Sequence, residues 1–323
     1  MAYAFYPTDH LTILEVPINL YHYLSEAFLS GQLSLPVTPS AKLLHLADPY
    51  DPIQNEGIRI HDISLYKGKF YLYFGPLPVV FFYLPFKLLT GFYPSDGAAV
   101  FFFVALSFTI SFFLIIKIKE QHFPKTSEPQ ILLIGLLLGF TNCTPYLLSR
   151  PLVYEVAIAS ALCFMCFSLF FLYNVFNNQY RTKDIFLFSF CLSLTVAGRP
   201  HFALVCLFLI PALLIHLLIY APKPQRLSFI IALLISPVMI GFILGLYNYL
   251  RFGSVSEFGH YWQLSWNNIR ALYSQELHVS KIPRNIAYSF YYYFLQPYWV
   301  SNEFPYIKLR YHAGTIPIDK DYY

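Results

Sequence analysis

Six runs of mostly apolar residues fill the middle of this chain, at about 97–117, 130–148, 152–175, 185–199, 202–221 and 227–250. About twenty such residues are what a helix needs to cross a bilayer. Inside hydrocarbon a backbone must satisfy its own hydrogen bonds, and an unpaired segment can do so only as a helix. The runs therefore predict an all-α integral membrane protein with about six transmembrane helices. The fourth run is short and ends at Arg199-Pro200. A seventh run, 75–91 (GPLPVVFFYLPFKLLTG), carries Pro76, Pro78, Pro85 and Lys87, and reads as an interfacial or re-entrant helix. Composition fits a membrane protein: 57% of the 323 residues are hydrophobic and only 12% charged, half the usual charged share of a soluble domain. The net charge of +4 is spread without a basic stripe, which argues against nucleic acid as a partner.

The distribution of Lys and Arg orients the spans. Lys117, Lys119, Lys125, Arg181, Lys183, Lys223 and Arg226 fall in the loops 117–130, 174–184 and 221–226, whereas the intervening loops hold only Arg150 and Arg199. The first set is then cytoplasmic. Residues 1–96 form an outer-face loop, 97–250 the transmembrane bundle, and 251–323 a second outer segment rich in Tyr and Trp. In 19–35, Leu20, Tyr23, Leu24, Ala27 and Phe28 recur at helical spacing before Gly31, which predicts an amphipathic helix lying on the membrane. No hydrophobic span precedes residue 1, so a truncated or mis-started product is expected.

Of the seventeen acids only Glu120, Glu128 and Asp184 fall in the cytoplasmic loops, which places any chemistry at the outer face. Asp62 and Asp9 are the candidate catalytic carboxylates, able to deprotonate an acceptor hydroxyl or to hold a divalent metal ion. Asp48 and Asp51, in DPYDP, read as turn formers. Arg150, Arg199 and Arg251 each mark the outer end of a different span, and Arg suits bidentate contact with phosphate; snorkelling to lipid headgroups is the competing reading. Lys69, Glu257 and His260 flank the same region. Glu155 lies a turn inside its span, where an acid is costly and tends to be paired or functional, with Arg150 or Arg251 as a partner. His216, alone in mid-span, reads as a packing histidine. The five cysteines all lie in apolar runs, and Cys163 and Cys166 lack a second pair to make a metal site.

Taken together, AFLSGQL, DISLYKGKFYLYFGPLPVVFFYLPFKLLTG, RPLVYE, AGRP and YNYLRFGSVSEFG resemble the GT-C class of membrane glycosyltransferases, the group of protein O-mannosyltransferases and aminoarabinose transferases. The likeness is greatest to bacterial members with a YNGKYY…FGPxP signature and covers about residues 15–265. It implies a polyprenyl-phosphate-linked sugar donor, an inverting transfer, a catalytic Asp in the first outer loop and basic residues on the donor phosphate. It implies a bacterial inner membrane with the active face periplasmic. Asn19 stands about where the family carries an Asp-Glu pair, leaving Asp9 and Asp62 as substitutes. Two other classes compete: a non-catalytic or remnant membrane protein, and a transporter or flippase, which would want repeated broken helices.

Overall fold

The computed structural model describes residues 19–178, 180–276, 282–296, 298–300, 302 and 307–309. Asp9 lies outside them. In chain order the elements are α1 (Leu20–Leu29), α2 (Ala41–Leu44), β1 (Ile63–Tyr66), β2 (Lys69–Tyr71), a π-helical turn Val79–Tyr83 leading into α3 (Leu84–Thr90), and α4 (Asp96–His122). There follow α5 (Glu128–Phe140), α6 (Thr144–Ser149), α7 (Val153–Asn177), α8 (Thr182–Gly198), α9 (Ala203–Tyr220) and α10 (Arg226–Phe252). Short elements close the chain: β3 (Gln263–Leu264), α11 (Ile269–Glu276), α12 (Ile282–Phe290), β4 (Tyr298–Val300) and β5 (Ile307–Leu309).

Four helical stretches, Asp96–His122, Val153–Asn177, Pro200–Tyr220 and Lys223–Phe252, are long and apolar enough to cross a membrane. Their outward faces are as apolar as their inward ones. In α9 only Leu213 and Leu217 are buried, while Leu204, Leu207, Phe208, Ile215, Leu218 and Ile219 are exposed. A soluble helix would turn charge to that side; a surface of this kind belongs in lipid. The chain is thus a helical membrane protein. Two of the expected spans fall short of the length of these four. The fourth, drawn as short from sequence, is the 17-residue α8. The second breaks in two at 141–143, where Asn142 Oδ1 accepts from Thr144 N at 2.7 Å and Pro145 opens α6.

The chain divides into two compact units. The larger, 18–38 with 69–259, is the helical bundle. Its core lies among α7, α8, α9 and α10, where Val175, Ile185, Phe188, Leu192, Leu217, Phe229 and Leu233 are buried together. α4 runs beside α7 in the same direction, tied by Lys117 Nζ to Asn174 Oδ1 at 2.8 Å and Gln121 Nε2 to Asn177 Oδ1 at 2.5 Å. His216 is satisfied by Tyr180 OH at 2.8 Å, as a packing histidine should be. All five cysteines are free thiols.

At one end of the bundle the FGPLP segment packs on the AGRP end of α8. A Cβ added at Gly75 would stand 1.8 Å from the Ala197 carbonyl oxygen, so no side chain fits there. Gly198 is closed in less tightly, by side-chain atoms of Leu77, Ala161 and Ser160 at 3.0–3.2 Å. Leu77 then joins Leu194, Ala197, Ile240 and Leu244 in a second buried cluster. The two short motifs are thus halves of one contact. Beyond them, the segment 75–91 turns helical at Val79 and ends at Gly91, whose φ of 77° suits a residue without a side chain. The expected amphipathic helix is α1, capped by Asn19 and stopped at Gly31 (φ 69°).

The smaller unit takes in 39–68 and the chain from His260 onward. In it β1 and β3 pair antiparallel, Ile63 opposite Leu264 and Ser64 opposite Gln263. The DPYDP stretch is turn chemistry: Asp48 Oδ1 accepts from Tyr50 N at 3.0 Å, and Asp51 Oδ1 from Ile53 N at 2.9 Å.

Candidate functional site

Each unit holds a polar cluster, and each contains residues expected from sequence. In the smaller unit the cluster is built on Asp62, which stands just before β1. It adopts a left-handed backbone, φ 59°, a conformation Asp tolerates better than most residues but at some cost. What holds it is strand pairing from its own N–H to Leu264 O at 2.9 Å and a side-chain bond from Gln263 Nε2 to its Oδ1 at 2.7 Å. Asp62 as a whole is 7% exposed. Gln263 also meets His260 Nδ1 through its Oε1 at 2.8 Å. A carboxylate only accepts, so the Gln263 amide nitrogen faces Asp62 and its oxygen faces His260. His260 therefore carries a proton on Nδ1. Two candidates from sequence, Asp62 and His260, are joined by a glutamine that sequence reasoning did not single out.

His61 Nε2 lies 3.5 Å from Asp62 Oδ2. Burial holds its pKa below the usual histidine value, partly opposed by Asp62 and reinforced by Arg59. Aromatic faces surround this cluster: the Trp266 ring is 4.9 Å from His61 and 4.6 Å from the Arg59 guanidinium. Arg270 sits 4.6 Å from Tyr50 and 5.0 Å from Trp262. The Tyr50 hydroxyl, bonded to Leu65 O at 2.6 Å, has its pKa pushed up by burial to about 12. Among the described residues no three His, Cys, Asp or Glu side chains gather as a metal site would require.

The bundle unit holds the second cluster, at the end where FGPLP meets α8. Arg251, 3% exposed, donates from Nη1 to Leu72 O and from Nη2 to Asn248 Oδ1, each at 2.7 Å. Its guanidinium lies 3.8 Å from the Tyr247 ring. Arg199, half-buried at the end of α8, donates from Nη2 to Tyr154 O at 3.1 Å and stands 5.4 Å from the Phe74 ring. These arginines point inward against aromatic rings, not outward as snorkelling side chains do. Four buried donors in this region have no hydrogen-bond partner: Arg199 Nε, Arg251 Nε, Tyr21 OH and Tyr247 OH. Burial raises the pKa of the Tyr21 hydroxyl, against the lowering by the Arg199 charge. A cavity of about 10 Å³, lined by Tyr73, Phe74, Tyr247, Asn248, Arg251 and Phe258 among others, opens beside Arg251.

The remaining candidates scatter. Arg150 caps the end of α6, half-buried, next to a proline that packs beside Gly97. Glu155 is 2% exposed and its Oε2 has no partner; Arg251, one of the two partners expected for it, is committed to Leu72 and Asn248. Glu257 accepts from Gly259 N at 2.6 Å, a local turn. Lys69 is exposed at the start of β2. Asn19 caps α1, its Oδ1 accepting from Tyr21 N and His22 N at 3.1 Å each. Its Nδ2 donates to Asp96 Oδ1 at 2.8 Å, an acid that sequence reasoning passed over. No protein-family model, no curated protein and no solved structure matches this chain.

Proposed function

We propose that this protein is a membrane glycosyltransferase of the GT-C kind, which moves a sugar from a polyprenyl-phosphate donor to an acceptor hydroxyl at the outer face of the membrane. The observation that carries the reading is the set of four buried donors without partners, on Arg199, Arg251, Tyr21 and Tyr247. A buried donor left unmade costs about 1–3 kcal/mol, and an anionic group with several oxygens would satisfy donors of this kind. A lipid phosphodiester is such a group, and its tail stays in the bilayer while its head meets the arginines. Charge neutralisation of the leaving phosphate is what the chemistry needs. The resemblance in the motifs supplies the sugar.

The reading takes six crossings, with α5–α6 together and α8 added to the four long helices. What supports this is direction: α4 and α7 run side by side the same way, so α5–α6 must carry the chain back between them. The arginine end then faces the periplasm of a bacterial inner membrane, by the asymmetry of Lys and Arg. A non-catalytic remnant is the second reading, favoured by Asn19, which caps a helix where the family carries acids.

The test uses the full chain in lipid nanodiscs. Tritiated polyprenyl phosphate should bind, and Arg199→Ala should weaken binding about ten- to a hundredfold, the worth of one charge-assisted bond. At least one sugar in a panel of labelled polyprenyl-phosphate hexoses and pentoses should be released or transferred. Binding without any turnover would favour the remnant; no binding would sink both.

A further inference from the structure

Four donors account for a phosphate, but they leave the acceptor's proton unassigned. A hydroxyl that attacks a sugar carbon needs a base within hydrogen-bond reach. Within the bundle unit, Glu257 is engaged in its own turn, and Glu155 is sealed among helices at 2% exposure. Asp96 is different. It is the first residue of α4, after the Ser95 cap, and is half-buried. Asn19 Nδ2, at 2.8 Å, and the Tyr83 hydroxyl both donate to the same oxygen, Oδ1. The donors are themselves fixed, Asn19 by capping α1 and Tyr83 by stacking on Tyr21 at 5.4 Å between ring centres. His22 Nε2 donates to Pro94 O at 2.7 Å and so pins the approach to α4. The carboxylate is thus held in one orientation, with Oδ2 receiving neither bond.

A second, independent feature ties this carboxylate to the phosphate donors. The Tyr21 side chain is fully buried, its hydroxyl has no partner, and it interacts electrostatically with Asp96 as well as with Arg199. Tyr21 stacks on Tyr83, whose hydroxyl donates to Asp96, and the charges of Asp96 and Arg199 both act on the unsatisfied Tyr21 hydroxyl.

We infer that Asp96 is the base of the transfer reaction, its Oδ2 taking the acceptor's proton; this rests on the glycosyltransferase reading above. The acceptor oxygen forms a bond to the sugar's anomeric carbon as the bond from that carbon to the phosphate oxygen breaks. The electron pair leaves on the lipid phosphate, which becomes a dianion beside Arg199 and Arg251. The proton from the hydroxyl ends on Asp96, so charge balances: one negative charge moves from the carboxylate to the phosphate. Asp62, in the smaller unit, is then a brace for its loop and not the base.

The decisive comparison is Asp96→Asn against Asn19→Ala, in the full chain in nanodiscs. Asp96→Asn should bind tritiated polyprenyl phosphate within about twofold of wild type yet lose turnover of the labelled donor panel by about a hundredfold or more. Asn19→Ala removes one of the two donors that orient the carboxylate, so it should lower turnover several-fold, by less than Asp96→Asn does, with binding unchanged. Azide has no proton to lose, and as acceptor it should restore turnover to Asp96→Asn but not to Arg199→Ala. Asp96→Asn turning over within tenfold of wild type would overturn the inference and leave the transferase reading standing. Undiminished turnover in Asn19→Ala would also overturn it, and that arm holds even if Asp96→Asn fails to fold. Absence of wild-type turnover with every donor overturns inference and reading together.

Discussion

Gly75→Ala is the substitution whose cost is most directly legible in the geometry. The added methyl would stand 1.8 Å from the Ala197 carbonyl oxygen, 2.7 Å from the Ala197 carbonyl carbon and 2.7 Å from the Gly198 oxygen. To reach ordinary contact, at 3.4 Å or more, the FGPLP loop must lift off the end of α8. The obstacle is helix backbone, not a side chain that could swing aside. Overpacking that a core can absorb costs about 1–3 kcal/mol, and this site lies at the top of that range because Phe74 and Leu77 would lift with the loop. Leu77 is 2% exposed in its buried cluster, and the Phe74 ring faces Arg199. Gly241→Ala is the matched control. Gly241 is within α10 and has nothing within 4 Å of its would-be Cβ, so there the helix preference for Ala dominates and stabilises by up to about 1 kcal/mol. The assay is thermal unfolding in one detergent, with polyprenyl-phosphate binding alongside. Gly75→Ala should lower the midpoint by several degrees and, on the function proposed above, weaken binding, while Gly241→Ala should hold or raise the midpoint. Equal midpoints for the two variants would refute the close approach of loop and helix.

Arg251→Lys keeps the charge but cannot hold both Leu72 O and Asn248 Oδ1 as the planar fork does; it should cost about 1.5–3 kcal/mol, the worth of one charged hydrogen bond, and a wild-type unfolding midpoint would show the fork to be idle. In a cysteine-free background, cysteines placed at Thr38 and Ser265 should react with an impermeant thiol reagent from outside and one at Thr126 should not; the reverse pattern would invert the topology. His61 has its folded pKa depressed by burial, so the unfolded chain takes up the proton first as pH falls through about 6.5. Stability should then decline with acidification below that point, and His61→Gln should flatten the decline; an unchanged slope would show that His61 is not its source.

Much of the bundle could be read along the sequence because each span is a local statement about twenty residues. α1 with its Gly31 stop, the turns at Asp48 and Asp51, and the packing role of His216 were legible for the same reason. The break between α5 and α6 was signalled by Asn142 and Pro145, though a window of apolar residues averages over them. What escaped the sequence is long-range. Asn19 meets Asp96 across 77 positions and Gln263 meets Asp62 across 201, and no spacing rule connects residues so far apart. Asp96 was passed over for this reason. The constraint on Gly75 is likewise distant, the backbone of a helix that comes much later in the chain.

That constraint has a consequence for how the protein is made. The FGPLP loop is translated roughly 120 residues before the Ala197 carbonyl it rests on. At ribosomal speeds of about 5–20 residues per second, its docking surface appears on the order of ten seconds after the loop does. Throughout that interval the segment from Phe70 to Phe92, dense in Phe, Tyr and Leu, must be kept somewhere other than its final seat. The bilayer surface offers such a place, since aromatic side chains settle readily at the headgroup level. Its Leu88, Leu89 and Phe92 stay exposed in the finished fold, so the contact they could make there early is not given up when the loop docks.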